Sequence, residues 1–105
     1  MPNLNEIKEK KLSEGIIGKY IHGISSTLGW VTIEVGSVLP AHHHPHEQIT
    51  LMIEGTLEMK IGEETFLLEP GDTHVIPSNV VHSAIAKTDC VLIDVFAPVR
   101  EEYKV

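Results

Sequence analysis

Apolar and polar positions alternate in short runs along the 105 residues, and "IIGKYIHGI", "WVTIEVG", "QITLMIEG", "TLEMKIG", "TFLLE", "THVIP", "VVHSAIA" and "VLIDVFA" follow one another with little between them. Successive side chains of an extended chain point to opposite faces, so alternation of this kind marks strands with one face buried. Most runs are cut by Gly, Pro or Asn, and no segment between them carries a helical period. The pattern predicts an all-β fold, an antiparallel sandwich or barrel. "IEGT" at 53–56 and "IGEET" at 61–65 read as tight hairpin turns, and "EPGD" at 69–72 as a type II turn with Pro before Gly. Residues 1–15 read as a charged N-terminal arm, in which "LNEIKEKKL" forms a helical turn or stays frayed. Residues 16–105 read as one domain, because the chain is too short for two ordinary cores.

Charge narrows the partners. Fifteen acidic residues against eight basic ones give a formal charge of -7 with His neutral, the wrong sign for a phosphate backbone, so no nucleic-acid partner is expected. No apolar run approaches the roughly 20 residues that cross a bilayer, so no membrane partner is expected either. One cysteine forms no internal disulfide, and the polar opening lacks the order of a signal peptide, which together point to the cytoplasm.

The stretch "PAHHHPHEQITLMIEG" carries the chemistry. Four histidines and Gln48 fall within residues 42–48. Read as one extended segment, His42, His44, His46 and Gln48 share a face that continues through Thr50 and Met52, while His43, Glu47, Ile49, Leu51 and Ile53 face the other way. Glu47 therefore falls on the wrong side, and Gln48 is the better oxygen ligand for a metal held by His42 and His44. A further ligand has to come from another strand, and His82 fits, since it shares a face with the small Ala84 and Ala86. His43 and His46 read equally well as loop histidines, and His22 and His74 receive no assignment. Asp94 interrupts an apolar strand, where a carboxylate needs a partner or a task; an ion pair with Arg100 would be one such partner. Arg100 is the one arginine of the chain, and its planar fork suits a substrate carboxylate. Phe96, Tyr20 and Trp30 read as core or interface aromatics, and Cys90 as a small buried apolar residue.

Gly36, His42, His44, Gln48 and Gly55, followed by Gly71, Pro77 and His82, resemble the two sequence motifs of the cupin family, with Gln48 at the usual glutamate and Asn79 and Ala86 at the usual Gly and Asn. The resemblance implies a single-domain cupin, a double-stranded β-helix or jelly-roll barrel, with a metal held by His42, His44, Gln48 and His82. Three imidazoles and a neutral amide leave a divalent ion its full charge, which favours anionic ligands. Ligand type is compatible with Zn, Ni, Fe, Co, Mn or Cu. The ending "VLIDVFAPVREEY" and the wording "HPHEQ" resemble small cupins of the pectin-degradation (KdgF-type) group, which open 4,5-unsaturated uronates. That resemblance implies a small anionic sugar-acid substrate, with Asp94 as the proton-transfer acid, Phe96 as the aromatic beside the substrate and Arg100 as its basic residue. A non-catalytic metal- or sugar-binding cupin and an iron-dependent dioxygenase are the alternative readings. The outward apolar set Ile49, Leu51 and Ile53 needs cover, and a homodimer is the expected one.

Overall fold

A computed structural model of the chain describes residues 2–104. Its larger sheet runs in the order β1 (Lys10–Ser13), β2 (Ile16–His22), β3 (Thr27–Ile33), β10 (Cys90–Ala97), β5 (Glu47–Glu54) and β8 (Thr73–Ile76). The smaller sheet runs β4 (Val38–His42), β9 (His82–Ala86), β6 (Leu57–Ile61) and β7 (Glu64–Leu68). All pairings are antiparallel. Among the described residues no helix is long and apolar enough to cross a membrane.

The eight expected strands are present, and the two sheets face each other across one core. Alternation decides which side chains enter it: in β3, Thr27, Gly29, Val31 and Ile33 are buried while Leu28 and Thr32 are exposed. Ile16, Val31, Ile33, Met52, Leu57 and Leu92 are all at most 6% exposed, and each contributes roughly 1.5–3 kcal/mol by leaving water. The inward positions turn polar along β5, from Met52 to Thr50 to Gln48, and their partners on β10 are Leu92, Asp94 and Phe96. One end of the barrel is thus sealed by aliphatic side chains, and the other is lined by groups that can do chemistry.

Three sequence expectations need correction. Part of the proposed arm is not an arm: Lys10–Ser13 forms β1 at the edge of the larger sheet, with a bulge between Lys11 and Ser13, and Leu12 packs against the core. Its charges hid an edge strand, where one covered face suffices. "IEGT" is not a hairpin, because β5 and β6 belong to different sheets. Gly55, at φ 86°, turns that corner, and a Cβ there would strike the Asp89 carbonyl. Finally, His42 to Gln48 is not one strand. β4 ends at His42 and β5 starts at Glu47, because Pro45 cannot donate to a ladder; its carbonyl instead accepts from Ser78 Oγ at 2.6 Å.

The remaining turns follow their residues. "EPGD" closes with Asp72 N–H donating to the Glu69 carbonyl at 2.9 Å, and Gly71 takes the φ of 91° that a type II turn requires there. Asn79 adopts φ 63°, a conformation asparagine tolerates better than other side chains.

Candidate metal centre and active-site cavity

The broken strand brings the histidines together rather than scattering them. His42, at the end of β4, pairs with His82, at the start of β9, and His44 swings in from the turn. Their ring centroids lie 4.3 Å apart for His42 and His82, 4.9 Å for His44 and His82 and 5.7 Å for His42 and His44. One ring nitrogen from each falls within 4.8 Å of the others.

All three rings are held in the same way. Nδ1 of His42 lies 2.9 Å from the Pro40 carbonyl, Nδ1 of His44 3.0 Å from the His46 carbonyl, and Nδ1 of His82 2.9 Å from the Val80 carbonyl. A carbonyl only accepts, so Nδ1 carries the proton and Nε2 presents its lone pair. Nε2 of His82 is buried and has no hydrogen-bond partner. Burial first, with the neighbouring imidazoles and Arg100 adding to it, lowers the His82 pKa to about 4; burial and Arg100 also lower that of His44. These rings are therefore neutral at pH 7, the form that binds a cation.

Gln48 completes the argument. Its amide N–H₂ donates to Thr50 Oγ1 at 3.1 Å and to Asp94 Oδ1 at 3.0 Å, which turns Oε1 towards His44 Nε2 at 3.1 Å. Two lone pairs facing each other at that distance repel unless a cation lies between or beside them. The three imidazoles and this amide oxygen therefore fit a divalent metal, by orphaned acceptors rather than by composition alone. Glu47 is exposed on the opposite face, as expected.

Asp94 sits across the sheet from these groups. Its Oδ1 accepts from Thr50 Oγ1 at 2.7 Å as well as from Gln48, and among the described residues nothing donates to Oδ2. Burial pushes its pKa up to about 6, against the opposing pull of the Thr50 and Gln48 hydrogen bonds and of Arg100. The suggested ion pair with Arg100 is not formed: Arg100 Nε instead lies 3.4 Å from Glu102 Oε2, without hydrogen-bond geometry. Arg100 is 6% exposed, and its guanidinium lies 4.9 Å from the centroid of Phe96 and 3.9 Å from that of Tyr103. Phe96 turns its edge to His44 at 5.7 Å.

His42, Gln48, His82, Asp94, Phe96 and Arg100 line one cavity of about 40 Å³, room for about three waters. It adjoins a wider cleft of about 420 Å³ through the shared residues Leu12, Leu39, His42 and Tyr103, and Lys10 and Lys11 stand on the rim of that cleft. His46 is buried against Phe96 but bonds the Val99 carbonyl at 3.2 Å, outside the metal cluster. His22 bonds Thr27 Oγ1, and the His74 ring packs tilted against Phe66. Sequence reasoning missed Tyr20 and Tyr103 as cavity residues, and it placed Thr50 on the inner face without its hydrogen bond to Asp94. Thr50 was legible by parity, whereas Tyr103 lies in a terminal turn without a period to read.

Fold and site together define a class, a jelly-roll barrel with an imidazole cluster on its inner wall. A cupin domain matches residues 29–96, and the chain belongs to the cupin family. It is 32% identical over 65 residues to the pectin degradation protein KdgF of Dickeya dadantii (strain 3937), a match that spans 61% of this chain and 59% of that protein, less than two thirds of the relative. The structure of KdgF from Halomonas sp. matches with a TM-score of 0.87 and 30% identity, over 95% of this chain and 94% of the other. An RmlC-like cupin from Shewanella frigidimarina has a TM-score of 0.89 at 23% identity, over 95% and 91%, a likeness of fold alone.

Proposed function

We propose that this cupin converts cyclic 4,5-unsaturated uronates, released by pectin or alginate breakdown, into linear 5-keto-4-deoxyuronates. The observation that carries the reading is a carboxyl, Asp94, with one oxygen tied to Gln48 and the other open, in the same cavity as the histidine cluster and an arginine lacking a hydrogen bond at Nε. The similarity to two KdgF proteins supports it.

A divalent metal held by His42, His44, Gln48 and His82 supplies fixed positive charge to an oxygen on which negative charge develops. The residues do the rest. Arg100 takes the substrate carboxylate, and Phe96 fixes the guanidinium from below. Asp94 accepts the anomeric O–H proton as the C1 carbonyl forms and the bond from C1 to the ring oxygen breaks, leaving an enolate at C5. The proton is then returned at C4 and the C5 carbonyl forms, so atoms balance as an isomerisation. Burial raises the pKa of Asp94 above the ordinary carboxylate range, which suits a carboxyl that both takes and gives that proton. The small cavity admits the reacting edge of a sugar acid, and the cleft with Lys10 and Lys11 takes its body, so that local cations oppose the repulsion of a chain of charge -7.

Loss of the cyclic form of unsaturated galacturonate, followed by NMR, should be faster with the metal-loaded protein and return to the uncatalysed rate after chelation. A fully loaded protein that gives no acceleration would remove the ring-opening activity.

A homodimer through the larger sheet belongs to the same reading. Ile21, Leu28, Val95, Ile49 and Val75 are cross-strand partners in one row on its outer face, and four of them are 38–50% exposed. The next row, Lys19, Trp30, Ile93, Leu51 and Thr73, adds one cation and no carboxylate. Two acidic copies can meet there without like charges opposing, and an apolar row this long exceeds scattered surface hydrophobicity. Sedimentation should give twice the chain mass, and Ile49→Lys with Leu28→Lys should halve it; a wild-type monomer at tens of micromolar rules the interface out.

A further inference from the structure

Tyr20 reads as a core aromatic in the sequence, but its surroundings are not those of a core residue. The side chain is 8% exposed, and its phenol oxygen is buried without a hydrogen-bond partner. Buried tyrosine hydroxyls nearly always find one, so an orphaned phenol in a cavity wall points to a group that is satisfied only when the cavity is occupied.

The fold builds a berth for this ring. Tyr20 is the cross-strand partner of Gly29, and Gly29 is in turn the partner of Asp94, all three on the inner face of the larger sheet. A Cβ on Gly29 would strike the Tyr20 ring, and a Cβ on Gly18 would fall 2.5 Å from the phenol oxygen. Glycine weakens a strand interior, and it marks places where something must approach the backbone closely. Here the two glycines let the ring lie across β2 and β3, on the row that runs through Asp94 to Thr50. On its other side the ring packs against Tyr103 at 4.6 Å, and the cavity that it lines is the one shared by Asp94, Arg100 and His82.

We propose that Tyr20 is a substrate-binding residue, whose phenol O–H donates into the cavity to an oxygen of a small hydroxylated carboxylic acid held between Tyr20 and Asp94. The two side chains then divide the work: Asp94 accepts through its open Oδ2 and Tyr20 donates, so a substrate hydroxyl that accepts from Tyr20 and donates to Asp94 is oriented from both sides. Burial first, and then the charges of Tyr103 and Asp94, raise the phenol's pKa well above its ordinary value, consistent with a neutral donor at any working pH. The uronate reading supplies the identity of the acid; the donor role rests on the orphaned hydroxyl and its berth.

Tyr20→Phe removes the hydroxyl and keeps the ring. Metal content should be unchanged, and the melting temperature should be equal or higher, because no hydrogen bond of the free protein is lost. The kcat/KM for unsaturated galacturonate should fall about 10- to 100-fold, the effect of leaving one buried substrate oxygen unpaired, with KM carrying at least part of the loss. Wild-type turnover tests the ring-opening reading separately from the ratio between the two proteins. Unchanged kcat/KM in Tyr20→Phe overturns the proposal, and so does a drop of several degrees in melting temperature, which would mean that the hydroxyl serves the fold. If the wild type does not turn over the unsaturated sugar, calorimetric binding of D-galacturonate decides. Weaker binding by Tyr20→Phe supports the donor role, while equal dissociation constants, or no binding to the wild type, overturn it.

Discussion

Asp94→Asn should keep its metal and its fold and lose ring-opening activity by about 10²- to 10⁴-fold, the range that a positioned general acid-base group contributes. The substitution is nearly isosteric, and an asparagine oxygen can still accept from Thr50 and Gln48, which hold Asp94 at 2.7 and 3.0 Å. Gln48 would therefore keep its amide orientation, and metal analysis should give wild-type occupancy. What disappears is the capacity of the open carboxyl oxygen to take a proton and return it.

Stability gives an independent control with a defined sign. In the chelated protein Asp94 has its pKa raised to about 6 from an ordinary 3.8, so the folded state prefers the neutral acid. That preference is fully expressed below the ordinary pKa and costs stability as pH rises through about 6, by an amount on the order of 2–3 kcal/mol. Asparagine is neutral throughout. Chelated Asp94→Asn should melt above the wild type at pH 7.5, with the difference shrinking towards pH 4. Activity retained within a factor of about 3 would end the catalytic assignment.

His82→Ala should abolish stable metal binding, with affinity at least about 100-fold weaker, since changing even a supporting partner of a ligand costs 10- to 100-fold. Its Nε2 is buried and unpartnered, so the ring is aimed at something the chain itself does not supply. A ligand that binds only the folded state raises the melting temperature by mass action. The wild type should therefore gain several degrees on adding metal, and His82→Ala should gain none. The metal-free variant should also melt lower than metal-free wild type by about 5–10 °C, because truncation leaves a void among packed neighbours and frees the Val80 carbonyl. His74→Ala is the matched control: His74 packs against Phe66 and is not one of the three clustered imidazoles, and the metal-induced shift should survive. Full metal retention by His82→Ala would remove this histidine from the ligand set.

Much of this was legible in the chain. Period-two alternation returned eight strands and their inward faces, because each strand separates an apolar from a wet side wherever it lies. Gln48 was preferred to Glu47 on parity, and the burial of the one and exposure of the other follow that rule from residue 47 onward. Asp94 stood out as a carboxylate in an apolar run, and it is hydrogen-bonded inside the cavity. The errors have a common source. A turn at Pro45 interrupts the extended register, Lys10–Ser13 is held at a sheet edge by pairing with β2, and "IEGT" changes sheets; each depends on which strand lies alongside.

The sequence by itself determined eight of the ten described strands, the histidines of the cluster and the interrupted apolar face of β10, since those follow from local periodicity and side-chain chemistry. Only the tertiary structure decided that His42, His44 and His82 each turn Nε2 inward, because that depends on carbonyls brought beneath their Nδ1 atoms by chain bends. It also decided that Arg100 pairs with Glu102 rather than Asp94, and that Tyr20 lies with a free hydroxyl across two glycines. Those relations depend on chain bends that turn near neighbours such as Pro40 and His42 or Arg100 and Glu102 onto one another, and on the cross-strand register that sets Tyr20 opposite Gly29, neither of which a local apolar pattern encodes.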